Sequence, residues 1–154
     1  MTRHCERSEA IQAFFSKTTG LRFVWENEPR EILQKPYGVL KLGTCSMVGR
    51  DDIYDSQLVG SREIVIQAQV FSRSFKPTEC ARAYLEKART LLRTFKHPDL
   101  VFDEAHPIID IDLIFDNRQE SRAAFDAVFR YSEVADLSHL SPGFFDHVEF
   151  THES

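Results

Sequence analysis

Residues 62–73, REIVIQAQVFSR, set Ile64, Ile66, Ala68 and Val70 against Val65, Gln67, Gln69 and Phe71. A period of two puts successive side chains on opposite faces, so this run is predicted to be a strand with one face on a core. Residues 122–132 repeat the pattern, with Ala123, Phe125, Ala127, Phe129 and Tyr131 opposed to Arg122, Ala124, Asp126, Val128 and Arg130. Ala124, Val128 and Tyr131 also fall at helical spacing, but the period-two match is longer and predicts a second strand.

Two helices complete the framework. Ala10, Ile11, Phe14 and Phe15 share one side of a short N-terminal helix, for which Gly20 is a suitable C-cap. From Pro77-Thr78-Glu79 onward, Ala81, Tyr84, Leu85, Ala88, Leu91, Leu92 and Phe95 follow at three- and four-residue steps, predicting a long amphipathic helix that Lys96-His97-Pro98 stops. RFVWE at 22–26 reads as a short strand, and YGVLKLGTCSMVG at 37–49 as a long one with a bulge or bend near Gly43. Residues 49–60, GRDDIYDSQLVG, have no useful period and predict a connecting loop, long for a hairpin. Residues 100–103 and 108–115 are expected to be strands, and Ser141-Pro142-Gly143 a turn before a last strand over 144–151.

Regular strand-helix alternation is absent. The expected fold is therefore α+β: a mostly antiparallel sheet with the N-terminal helix and one long amphipathic helix packed on one face. Phe71 and Ile114 would leave apolar surface on the other face, which implies a partner. With 154 residues, and without internal repeat or linker, residues 1–154 are expected to form a single domain.

The charge of -5 argues against a protein whose task is to grip nucleic-acid phosphates, since that affinity comes from clustered Lys and Arg. Arg82, Lys87, Arg89, Arg93 and Lys96 give the second helix a basic side, which suits DNA or an acidic neighbour but reads first as the solvated face of an amphipathic helix. Cys5, Cys45 and Cys80 are odd in number, widely spaced and without a CxxC pair, so neither a disulfide framework nor a zinc site is indicated. No apolar run approaches membrane-spanning length, and a soluble, cytoplasmically made protein with no membrane partner is expected.

No catalytic, cofactor-binding or metal-binding residues are assigned. Gly38, Gly43 and Gly49 are too scattered for a phosphate loop, no serine has nucleophile-elbow context, and the six histidines form no HxH or HxxxH pair. Asp110 and Asp112 project from one face of a predicted strand, with Asp116 nearby, a pattern that suits a hard cation or an acid/base pair. A solvated strand face produces the same pattern, and the remaining oxygen ligands are missing; Asp51 and Asp52 are read in the same way.

Beyond these readings, WENEPREILQKPYGVLKLGTCSMVGRDD, then GSREIVIQAQVFS, an amphipathic helix and FDNRQESRAAFDAVFRYSEVADL resemble the phage neck terminator, or tail-terminator, family over about residues 14–150. Trp25, Pro29, the Pro36-Tyr37 pair, Gly60-Ser61-Arg62-Glu63 and the arginine-bearing segment 122–131 carry the likeness through their order and spacing. Two features depart from that pattern: Gly38 stands where a β-branched residue is usual, and FSRSFKP is less glycine-rich than usual.

The resemblance implies a structural virion protein rather than an enzyme: a ring-forming, commonly six-fold subunit that docks on the last ring of the tail tube, halts its growth and faces the head connector. A head-completion or stopper protein is the alternative within the same assembly. A small ligand-binding or enzyme domain, using 110–116 with His106, is the alternative from another class. On the terminator reading, Arg50, Asp51, Asp52 and Tyr54 are the candidate contacts to tube or neighbour. Asp110 and Asp112 would line the lumen, repelling the phosphates of DNA that passes without specific binding.

Overall fold

The computed structural model describes the backbone of residues 3–28, 33–111, 113–115 and 118–137, and side chains for residues 6–28, 33–111 and 120–137. The elements are α1 (Arg3–Thr19), β1 (Phe23–Trp25), β2 (Tyr37–Tyr54), β3 (Gln57–Ser72), α2 (Ala81–Leu91) with a 3-10 turn (Leu92–Thr94), β4 (Val101–Ala105), β5 (Ile109–Asp110), β6 (Leu113–Phe115) and β7 (Arg118–Asp136). The sheet runs β1-β2-β3-β7-β4, with β5 and β6 also on β7. Every pairing is antiparallel except β1 with β2.

The two alternating runs form the centre of the sheet. β3 and β7 pair continuously from Gln57↔Asp136 to Ser72↔Ser121, which aligns Ile64, Ile66, Ala68 and Val70 with Phe129, Ala127, Phe125 and Ala123. All eight are buried. Ile11 and Phe15 of α1, with Ala81, Leu85, Ala88 and Leu92 of the α2 segment, complete that core. Full burial of Leu85 and Leu92 contributes about 1.5–3 kcal/mol each. Phe129 packs edge-on to Phe95 and Phe102, with centroids 5.3 and 5.9 Å apart, so these rings serve the interior.

α1 ends as expected. Gly20 takes φ +75 and its amide donates to the Ser16 carbonyl at 2.9 Å, a left-handed cap that glycine adopts without Cβ strain.

The second helix is shorter than its apolar stripe suggested, and α1 is the longer of the two. At its start, Ser72 donates to the Glu79 carbonyl at 2.8 Å and Ser121 accepts the Ala81 amide at 2.9 Å, so this buried serine pair holds the incoming chain as a turn. At its end the backbone tightens to 3-10 and Phe95 becomes extended, reaching Phe14 and Phe129 from outside the helix.

Three strand expectations change. Residues 49–60 are no loop: β2 and β3 continue to a two-residue turn in which Asp55 and Ser56 take φ 46 and 62, the left-handed pair of a hairpin turn. Residues 108–115 are broken into β5 and β6, and on this segment Ile108 is buried while Ile109 and Ile111 are exposed. β7 is longer than 122–132 at both ends. The bulge expected near Gly43 is present between Leu42 and Thr44, and a larger irregularity lies between Val48 and Asp52. The turn at 141–143 and the strand at 144–151 fall outside the described residues.

Gly38 has a structural reason. It pairs with Phe23 on β1, and a Cβ there would collide with the Phe23 ring, itself only 2% exposed. A β-branched residue at this position is incompatible with that ring.

Candidate assembly surface

Beyond the helices the central strands keep going. Residues 44–54 of β2, 57–63 of β3 and 132–136 of β7 form a three-stranded arm on which α1 and α2 do not lie. Both parities of β2 are exposed there, except Val48, Asp51 and Ile53, which are half-buried, and all of 132–136 is exposed. Met47, Tyr54 and Val134 are large apolar side chains left open on the arm, Tyr54 at 70% exposure.

What stiffens the arm is a charged clasp. The Arg62 guanidinium donates from Nη1 and Nη2 to the two Asp51 carboxylate oxygens, both at 2.7 Å, and its Nε meets Glu133 at 2.7 Å. β2, β3 and β7 are thereby tied by one side chain through a bidentate pair and a further ion pair. Asp51, through that hydrogen bond, is the leading cause that raises the Arg62 pKa above its ordinary value, opposed by desolvation. The clasp crosses the strand at Gly60, where a Cβ would strike the Asp51 carboxylate.

Of the four candidate contacts, the structure brings Arg50, Asp51, Asp52 and Tyr54 onto one strand close to the arm's tip. Asp51 points into the clasp, with 10% of its side chain accessible. Arg50, Asp52 and Tyr54 are exposed.

Asp110 lies elsewhere, on β5 at the other side of the sheet, where both carboxylate oxygens accept from Arg82 Nε at 3.1 Å. Asp112 falls outside the described residues. Arg82 Nη2 also donates to the Ile108 carbonyl at 2.9 Å, and Arg89 donates to the carbonyls of His106 and Ala105 at 2.9 and 3.1 Å. Two of the five helix cations therefore clamp the β4–β5 connection. Nothing in their spacing along the helix separated them from Lys87, Arg93 and Lys96, which are exposed.

A cleft of about 530 Å³ opens between α1 and the sheet, lined by residues including Ile11, Trp25, Leu40, Ile64 and Tyr131. At its side the Arg7 guanidinium lies 4.0 Å from the centroid of the Tyr131 ring, and the Tyr131 hydroxyl is 3.5 Å from Cys45 Sγ. That hydrogen bond, aided by burial, pushes the phenol up to about 12. Neither Asp110 nor His106 lines this cleft. Among the described residues, no group of three or more His, Cys, Asp or Glu side chains could hold a metal ion. No helix among them is long and apolar enough to cross a membrane.

Comparison with known proteins gives one informative match. The model of a family described as phage neck terminator protein matches residues 8–153, nearly the whole chain. No curated protein matches. One solved structure, of a protein without a descriptive name, aligns over 85% of this chain and 96% of its own at 15% identity, with a TM-score of 0.45, a level that carries no argument.

Proposed function

Because the chain belongs to the phage neck terminator family, a family of structural neck proteins of tailed phages, we propose that it is a ring-forming subunit that ends the tail tube and joins it to the head connector. The observation that carries this is the arm. A three-stranded extension with both faces solvated and Met47, Tyr54 and Val134 uncovered adds little to its own chain's core. Its apolar side chains are available to a neighbour. The reading has six copies in the ring, the mature protein in the virion neck, and Arg50, Asp52 and Tyr54 in contact with tube or neighbour, while Asp51 acts through the clasp.

In this reading the protein works by assembly, with no catalytic step and no cofactor. Its partners are itself, the tail tube protein and the connector, and DNA passes the ring without being gripped. Asp110 and Asp112 are the proposed lumen-facing acids; wild-type DNA ejection by an Asp110→Asn, Asp112→Asn double variant would remove that assignment. A head-completion or stopper role is the second reading, favoured by the same exposed arm if its target is the connector.

The test is light scattering on the protein alone and mixed with tail tubes, followed by negative-stain imaging of tube ends. A ring or cap at one end supports the terminator. Binding to a head connector without effect on tubes favours the stopper, and indifference to both refutes the assembly reading.

A further inference from the structure

The molecule is electrically divided. The arm and its tip, residues 50–62 and 131–137, hold two basic and five acidic residues, a net -3. The segment carrying α2, residues 73–99, holds seven basic and three acidic residues, a net +4. Asp52, Asp55 and Asp136 are exposed at the acidic end, and Lys87, Arg93 and Lys96 at the basic one. Each end also offers apolar surface. Tyr54 stands beside the hairpin turn, while on the outer side of α2 a shallow depression lined by Pro77, Ala83, Glu86, Lys87 and Leu91 leaves Leu91 42% exposed, the one acid there being paired with Arg82.

These complementary ends are kept apart within one chain. α2 starts at Ser121, level with Ser72 on β3, and the segment after it reaches Phe129, level with Ile64. The tip is at Gln57, so at about 3.4 Å per residue it lies roughly 24–50 Å from the helix along the strand. An arm stiffened by the Arg62 clasp does not fold back over that distance.

We propose that the acidic arm tip of one copy, led by Tyr54, docks on the basic outer face of α2 of a second copy, in a head-to-tail contact repeated around the ring. The inference rests on the ring reading above and names the two surfaces that reading needs. A heterologous contact of this kind builds closed rings when its rotation closes. Opposite charge sets the register and speeds the encounter, and the apolar contact beneath it carries affinity.

The experiment is a charge exchange. An arm variant, Asp52→Lys with Asp136→Lys, and a helix variant, Lys87→Glu with Arg93→Glu and Lys96→Glu, are compared with wild type by sedimentation velocity and by ring formation on tail tubes. Each variant alone should need roughly tenfold or more higher concentration to assemble, since attraction becomes repulsion at exposed pairs. Mixed together they should recover assembly, because each supplies the surface complementary to the other's altered one, and recovery also shows that both fold. Wild-type assembly should weaken with added salt.

Variants that assemble alone like wild type, a mixture that does not recover, or recovery that stops at a dimer would each overturn the contact while leaving the ring reading intact. Wild type that self-associates through this contact but does not cap tubes would instead overturn the terminator reading and leave the contact standing. Wild type that forms no oligomer, free or on tubes, would overturn both.

Discussion

Replacing Gly38 by alanine adds one carbon, and the structure says where it lands: on the ring of Phe23, which is 2% exposed and packed 5.4 Å from Phe15. The ring cannot turn aside without disturbing that core, so Gly38→Ala should cost about 1–3 kcal/mol, the range for forcing extra volume into a packed interior. Phe23→Ala alone removes a buried ring and should cost about 3–5 kcal/mol. In the Phe23→Ala background the obstruction is gone, and because Gly38 does not have positive φ, alanine should be neutral or stabilise by up to about 1 kcal/mol. The two changes are therefore coupled by about 2–3 kcal/mol, against near-additivity for independent sites. Urea unfolding of the four proteins measures this directly: with a slope of about 1–3 kcal/mol/M, Gly38→Ala should lower the midpoint by about 1 M. Costs that add to within about 0.5 kcal/mol would refute the ring-over-glycine account of this position.

Three further outcomes are expected. Tyr54→Ala removes a side chain that is 70% exposed, so urea stability should stay within about 0.5 kcal/mol of wild type while capping of tail tubes is lost; retained capping would take Tyr54 out of the interface. Arg62→Met opens the clasp, so hydrogen exchange at the amides of residues 58–63 should speed up while those of 64–70 stay slow; uniform protection would mean the arm is held by its ladder alone. The Tyr131 phenol is raised to about 12 in the folded protein against about 10 in the unfolded chain, so its contribution is fully present below pH ~10 and stability falls as pH rises from there towards 12. Cys45→Ala should bring the spectroscopic titration of that phenol back towards 10, and an unchanged titration would assign the shift to burial and the Glu133 charge instead.

β3 and β7 were legible in the sequence because each has one face on the core, and burial writes a period of two into the residues. The arm was not legible for the converse reason. Both its faces meet water, so Arg50, Asp52, Tyr54 and Ser61 follow no apolar rhythm, and the irregularities near Gly43 and at 49–51 shift what alternation there is. Its turn, Asp55-Ser56, also lacks the glycine that marks most two-residue hairpins. The second helix was over-extended because Leu92 and Phe95 continue the apolar stripe after the α-helical backbone has ended. The roles of Asp51 and Arg82 depend on partners eleven and twenty-eight residues away, and no local pattern encodes such pairs.

Past the three-residue cover of β1, the outer edge of β2 over 41–54 has no strand neighbour among the described residues. A straight edge of that length is a template on which strands can stack without limit, the first step towards fibres. Here Gly43 and the 49–51 irregularity leave 44–48 as the longest unbroken stretch in regular register. Colloidal behaviour follows from that interruption. A concentrated stock should stay clear and free of amyloid-dye signal, whereas deleting Gly43 together with two residues of 49–51 would straighten the edge and make the protein precipitate as filaments.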